Sequence, residues 1–428
     1  MRTWERIWLL FAAMHGVAMY NITGLAAFIS PSAFFIFAAF AFFPFKRFLF
    51  GSMNLIDLSV ALFVAIGVMS FVLFFLPSNL ASPMSFVAGV NVTLLPMVMY
   101  LFGKSTPQVD HKRLIDGIIS LHFVVVAISI VLHIARPEFY TTAITASIFG
   151  NEDAQSWQIY ARLQGSLGST VVGAICAISI FLTMASSYSQ KSQWMLSFFF
   201  LAGAILSFQR APILISLFGL GALLIFSRGA TVSKLTGAVL AVISVQYFMQ
   251  LNLDEVERLL ARVVEAGQTI SLTERETYYQ IVPHLDRYPF GMGLGATTSH
   301  ADAAGYNPGG QMVDANHMRF LADLGPIGLG AFILIVGFSF FKAISLKSKV
   351  WLGVVIFVMN LQATVTNVFD SYYVSHLYWL ITGIISGAGG ARNEKTAHAV
   401  FESNNFEHTD RTMRVRRALS EKPIPNRR

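Results

Sequence analysis

Apolar runs of about twenty residues, separated by short polar connections, dominate this chain. A helix needs about 20 apolar residues to cross the hydrocarbon core of a bilayer. Windows of that length fall at 7–23, 25–45, 55–76, 83–103, 114–135, 167–186, 193–208, 211–227, 232–250, 321–341, 350–368 and 371–388. The pattern predicts twelve spans. The stretch Ser207-Phe208-Gln209-Arg210-Ala211-Pro212 divides 193–227 into two, because Arg and Pro together are poor mid-membrane residues. One hydrophilic interruption breaks the rhythm, residues 251–320, which ends in Asp314-Ala315-Asn316-His317-Met318-Arg319. Inside it, Asp254 to Glu265 reads as a charged amphipathic helix with Val256, Leu259, Leu260 and Val263 on one side.

The expected fold class is an all-α polytopic integral membrane protein, with about 12 transmembrane helices and one large, partly helical extracytoplasmic loop. Residues 1–250 would hold helices 1–9, residues 251–320 the loop, and residues 321–390 helices 10–12. Residues 391–428 read as a basic, disordered cytoplasmic tail, polar and poor in apolar side chains. Its Arg411–Arg417 cluster suits anionic membrane lipids.

Composition agrees with the pattern. Charged residues make up 12% of the chain, against about 25% in soluble domains, and the 38 Phe suit lipid-facing helices. The single Cys176 rules out a disulfide framework and a Cys-based metal site. No motif for nucleic-acid binding is present. The first apolar run merges into the second without a polar region after a cleavage site, so it reads as a retained helix.

Charge then orients the spans. With the N-terminus in the cytoplasm, 22 of the 30 Lys and Arg residues fall on inner segments and eight on outer ones. The alternation holds at every loop, which places both termini in the cytoplasm and residues 251–320 outside. Every lysine lies inside. The outer cations are Arg136, Arg162, Arg210, Arg258, Arg262, Arg275, Arg287 and Arg319. Guanidinium grips phosphate or carboxylate through a planar fork, as a site for a phosphorylated ligand requires, although codon bias gives the same pattern.

Short motifs gather on that outer side. They include Ser207-x-x-Arg210 at the start of a span and Arg275 followed by Tyr278 and Tyr279. Pro289-Phe290-Gly291-Met292-Gly293-Leu294-Gly295 comes next, and then Asn316-His317 followed by Leu321, Gly325 and Gly328. The glycine run has no preceding strand and no following Gly-Lys-Ser/Thr, so it reads as a tight turn near the membrane surface rather than a nucleotide P-loop. In order, spacing and expected side these pieces resemble the O-antigen ligase and polymerase superfamily of bacterial polysaccharide assembly. The chain departs from that pattern at Ala211-Pro212, where the family usually has Gly. It departs again after Arg162-x-x-Gly165, where Ser169-Thr170 stands near the usual Asn-Pro.

The resemblance implies glycosyl transfer from a polyprenyl-pyrophosphate-linked glycan to an acceptor glycan or glycolipid, on the outer face of the bacterial inner membrane. It implies no cofactor, and a chain-length regulator protein as a further partner. No metal is expected, because the outer carboxylates lack a spacing that would hold Mg²⁺. Arg210 and Arg275 would stabilise the departing pyrophosphate. His317, with an ordinary pKa of about 6.5, would take the acceptor's proton or bind the pyrophosphate. Arg162, Arg287, Asn316, Tyr278 and Gly293 would contact pyrophosphate or glycan. Plainer readings exist for each catalytic candidate. Arg210 would snorkel to the interface or pair with Asp370, Arg275 would pair with Glu274 or Glu276, and His317 would cap a helix start. His122 and His133 lie on the fifth span, with Asp116 near its inner end; they read as residues without a functional role, His133 at the interface, with a proton relay as the alternative.

Overall fold

The computed structural model describes residues 53–77, 79, 81–135, 163, 169–207, 209–226, 288–298, 301, 305–306, 313 and 315–388. Among them there are helices and no strands. In chain order the α-helices are α1 (Leu55–Met69), α2 (Pro83–Gly89), α3 (Val98–Ser105), α4 (His111–Ala135) and α5 (Ser169–Ala185). They continue as α6 (Gln190–Leu206), α7 (Arg210–Phe226), α8 (Asn316–Ser345), α9 (Val350–Ala363) and α10 (Tyr372–Gly387). Short 3₁₀ and π turns extend α1 to Phe75 and join α2 to α3.

Four segments are long and apolar enough to cross a membrane: Leu55–Phe75, Pro83–Ser105, Gln108–Ala135 and Asn316–Ser345. Shorter apolar helices occupy Thr170–Ala185, Ala211–Phe226 and Val350–Ala363. Nine of the twelve expected spans coincide with these helices or with α6 and α10. The spans at 7–23, 25–45 and 232–250 lie outside the described residues, as do most of the 251–320 loop and the tail.

Local signals explain where the helices start. Asn54 caps α1 in a reciprocal box: its side chain accepts from the Ile56 and Asp57 amides, and Asp57 accepts from the Asn54 amide at 2.7 Å. Ser82 caps α2, with Pro83 at the first helical position, where its missing N–H costs nothing. Pro96 follows a π turn at Val90–Leu94, a backbone adjustment that takes up the missing N–H of a mid-span proline.

Between lipid-soluble helices association depends on close packing, and small residues allow it. The tightest seam joins α3 to α10. A Cβ on Gly103 would lie 2.2 Å from the Leu380 carbonyl oxygen, and one on Gly383 would lie 2.1 Å from that of Tyr100. Gly383 and Gly387 are four apart, so both backbone approaches fall on one face of α10. Helix α5 is deeply enclosed, with Val172, Ala174–Ile178, Ile180 and Leu182 all inaccessible. Its neighbours meet it through Gly173, Gly203 and Gly219.

Polar side chains lock the bundle at three levels. Inside it, Tyr373 of α10 donates to His122 Nε2 at 2.5 Å, and His122 Nδ1 donates to Ser179 Oγ of α5 at 2.6 Å. Ser179 in turn donates to the Ile175 carbonyl at 2.7 Å. The chain of hydrogen bonds ends on a backbone oxygen, so it ties α4, α5 and α10 together and leads nowhere else. At one end of the bundle, Asp57 accepts from Tyr100 at 2.5 Å and from Lys104 at 2.7 Å. The other end holds the candidate site.

The seam supplies its own test. Gly383→Ala should destabilise the bundle by about 1–3 kcal/mol through overpacking. Gly330→Ala, where a Cβ meets nothing within 4 Å, should leave it unchanged. Thermal unfolding in detergent measures both, and equal midpoints for the two variants would count against the seam.

Candidate functional site

The site is organised by a break in α8. Gly325 has φ 66° and ψ −175°, and Pro326 follows it, so Asn316–Leu324 forms a separate half-helix ahead of the long segment. Proline has no N–H, so the Ala322 carbonyl loses its normal partner four residues on. The extended turn at Gly325 removes the partner of Asp323 as well. Both carbonyls are recovered by the glycine turn: Met292 N donates to Ala322 O and Gly293 N to Asp323 O, each at 2.8 Å.

The Asp323 side chain completes the clamp. It is fully buried and accepts from Gly295 N at 2.9 Å, Thr297 N at 2.9 Å and Thr297 Oγ1 at 2.8 Å. Leu294 N donates to Ser70 Oγ at 3.0 Å, which fastens the same turn to the end of α1. Glycine is required at 291, 293 and 295, where φ is 85°, 105° and 91°. A Cβ would strike the Asp323 carbonyl at the first, the Phe74 ring at the second and the Ser85 carbonyl at the third. The run is a tight turn whose amides face the protein. Gly293, expected to contact substrate, gives its N–H to Asp323.

One turn earlier, Arg319 is buried at 0% exposure. Its NH1 lies 3.0 Å from Asp370 Oδ1, its NH2 donates to Thr93 Oγ1 at 3.2 Å, and its guanidinium rests 4.8 Å from the Phe320 ring centre. Asn316 Nδ2 donates to the same Asp370 oxygen at 3.2 Å, while Asn316 Oδ1 accepts from Phe369 N at 3.0 Å. Both ends of the Asn316 amide are therefore occupied within the protein. Asp370, considered above as a partner for Arg210, pairs with Arg319.

His317 occupies the first turn of the half-helix, which has no side-chain cap. Its ring packs edge-on against Phe332 at 5.7 Å and donates toward the Ala363 backbone carbonyl. Nδ1 is buried without a hydrogen-bond partner. With the ring N–H directed at a carbonyl, Nδ1 carries the lone pair of the neutral ring, and that atom is enclosed by the protein.

Antiparallel alternation brings the α6–α7 corner to this same end. Asp116 of α4 accepts from Ser187 at the opposite end, so α6 rises back toward the site. Ser207 closes α6, donating to Ala204 O at 2.6 Å, and Arg210 opens α7 three residues later. Leu163 N donates to Leu206 O at 2.8 Å, which pins the segment next to Arg162 against that corner. Arg210 is described through its backbone alone. Arg162, Arg275, Tyr278 and Arg287 lie outside the described residues.

Sequence reasoning passed over Arg319 and Asp323 as functional supports. The available signal was their i, i+4 spacing on an otherwise apolar stretch, which favours an internal ion pair over two solvated charges. No protein-family model matches the chain, and no curated protein matches it in sequence.

Asp323→Ala should cost about 3–5 kcal/mol, because it leaves three buried donors without an acceptor. Ser70→Ala, which removes one neutral acceptor, should cost about 1 kcal/mol. Thermal midpoints in detergent, with limited proteolysis across residues 288–298, check the ranking; a Ser70 effect as large as that of Asp323 would reverse it.

Proposed function

We propose that this protein is a membrane glycosyltransferase that acts as a polysaccharide polymerase. It would move a glycan from a polyprenyl-pyrophosphate carrier to a sugar hydroxyl on the outer face of the bacterial inner membrane. The observation that carries the reading is His317: a half-buried imidazole on an uncapped half-helix, oriented by a carbonyl, with Nδ1 unoccupied. The resemblance of the Ser207-x-x-Arg210, Arg275, Pro289–Gly295 and Asn316-His317 motifs supplies the reaction class.

In that reaction the acceptor hydroxyl oxygen forms a bond to the anomeric carbon while the bond from that carbon to phosphate breaks. The bonding pair leaves with the pyrophosphate, and His317 takes the hydroxyl proton once acceptor binding uncovers its buried Nδ1. A positioned base contributes about 10²–10⁴-fold. Arg210 and Arg275 would stabilise the departing charge, each donor worth about 10²–10³-fold in a water-poor site. The carrier bond is already activated, so no nucleotide is needed.

A ligase that transfers finished glycan to lipid A-core shares every one of these roles. A second class, a transporter for the lipid-linked glycan, is favoured by one feature, since discontinuous helices often line transport sites. In this chain, however, the carbonyls freed by the break are bonded to the glycine turn and not open to a ligand.

His317→Ala and Arg210→Lys should each lower polymer formation at least about 100-fold while lipid-linked repeat units still reach the outer face. Accumulation of those units on the inner face would instead identify a transporter. The glycolipids of a deletion strain divide the enzyme readings: single repeat units capped on the acceptor mean a lost polymerase, and full-length polymer held on the carrier means a lost ligase.

A further inference from the structure

Among the described residues, the end of the bundle opposite the glycine turn carries an excess of positive charge. The cations whose side chains are described there are Lys104, Lys112, Arg113, Lys191, Lys342 and Lys349; the carboxylates are Asp57, Asp110 and Asp116. That leaves three positive charges in excess among the described residues. The carboxylates have partners of their own. Asp57 binds Lys104 and Tyr100, and Asp116 accepts from the Ser187 backbone and hydroxyl.

The corner between α8 and α9 concentrates this excess. Lys342 is half-buried, and its ammonium donates to the Ser386 carbonyl at 2.6 Å. Seven residues on, Lys349 donates to His111 Nδ1 at 2.7 Å, while His111 Nε2 donates to the Thr106 carbonyl at 2.9 Å. Both acceptors are neutral. Burial and the like charge of Lys112 push the Lys349 ammonium down to about 8 from its ordinary value. These groups also lie where four apolar segments end or begin, at Ser105, Gln108, Ser345 and Val350, which is the level of lipid headgroups in a bilayer.

We infer that the α8–α9 corner, with Lys342 and Lys349 flanked by Lys104 and Lys112, is a binding site for the phosphate of an anionic phospholipid headgroup. Neutral acceptors hold both ammonium groups; Lys342 also feels the Asp57 carboxylate, which is shared with Lys104, whereas Lys349 faces only the like charge of Lys112. A phosphodiester anion at this corner would accept from Lys349 and offset its repulsion with Lys112. Basic pockets between membrane helices suit this class of ligand. The site lies at the opposite end from His317 and does not depend on the proposed reaction.

The test uses the purified full chain in detergent, titrated with phosphatidylglycerol, phosphatidylcholine or inorganic phosphate while its thermal midpoint is followed. Phosphatidylglycerol should raise the midpoint, and the other two should not. In Lys342→Gln/Lys349→Gln the half-saturating concentration should rise about 25-fold, from about fivefold, or about 1 kcal/mol, per lysine. The paired Lys→Arg variant should keep wild-type half-saturation. Equal stabilisation by phosphatidylcholine, saturation by inorganic phosphate alone, or an unchanged half-saturation in the glutamine variant would each overturn the inference. Should the glutamine variant fail to fold, a photoactivatable phosphatidylglycerol on the wild-type chain decides. Cross-links within 104–112 and 342–349 support the site, and cross-links confined to other segments reject it.

Discussion

A helix that breaks inside an apolar segment frees backbone carbonyls that lipid cannot satisfy, and each one left bare costs several kcal/mol. In this chain Gly325-Pro326 creates that problem, and the rest of the site follows from how it is met. Met292 and Gly293 present two amides at the spacing of the two freed carbonyls. Asp323 then takes the next donors of the same turn through its side chain. For one residue to bond the turn through both its carbonyl and its carboxylate, the turn backbone must lie almost in contact with α8. Side chains at 291, 293 or 295 would prevent that approach, so the three glycines follow from the break.

Arg319 extends the same logic inward. A guanidinium removed from water is tolerated only with a paired charge, and Arg319 has one although its Nε and Nη1 make no hydrogen bond among the described residues. Asp370 supplies the charge and Thr93 a further acceptor, so the π turn before Pro96, the start of α10 and the half-helix converge on one cation. Asp57 plays the corresponding part at the far end, with Tyr100, Lys104 and Ser386. Between these two polar anchors the helices meet through Gly103, Gly383 and Gly387, where dispersion contacts act over almost touching backbones. The bundle is fastened at its ends and close-packed along its length.

How much of this was legible follows from the physics of each feature. Span positions were readable because hydropathy in a twenty-residue window is a local property, and α1, α4 and α7 begin or end within a few residues of expectation. The turn at 289–295 was readable as a turn because Pro and Gly punctuate any backbone. The role of Asp323 was not readable, since its partners are 26 and 28 residues away and only the fold brings them near. Asp370 illustrates the same limit. From sequence, any outer arginine could pair with it, and tertiary packing chose Arg319. The α3–α10 seam escaped because Gly383 and Gly387 are ordinary in an apolar helix until a second backbone is seen against them.

These supports bear on how labour would be divided in the proposed transfer. A catalytic base gains from being held rigidly, because small displacements cost large factors in rate. The nine-residue half-helix bearing His317 is anchored by Asn316 to Phe369 and Asp370, by Arg319 to Asp370 and Thr93, and by Asp323 to the glycine turn. All three anchors face inward. Arg319 is consequently a poor candidate for binding a substrate phosphate, although it is the arginine nearest His317 in sequence: it is buried and its charge is already paired. The charge that a pyrophosphate needs would then have to come from outside the half-helix. Arg210 starts a neighbouring helix at the same end, and the segment that carries Arg275 and Arg287 leads directly into the clamped turn. On this division the half-helix fixes the proton acceptor, and the surrounding arginines meet the leaving group.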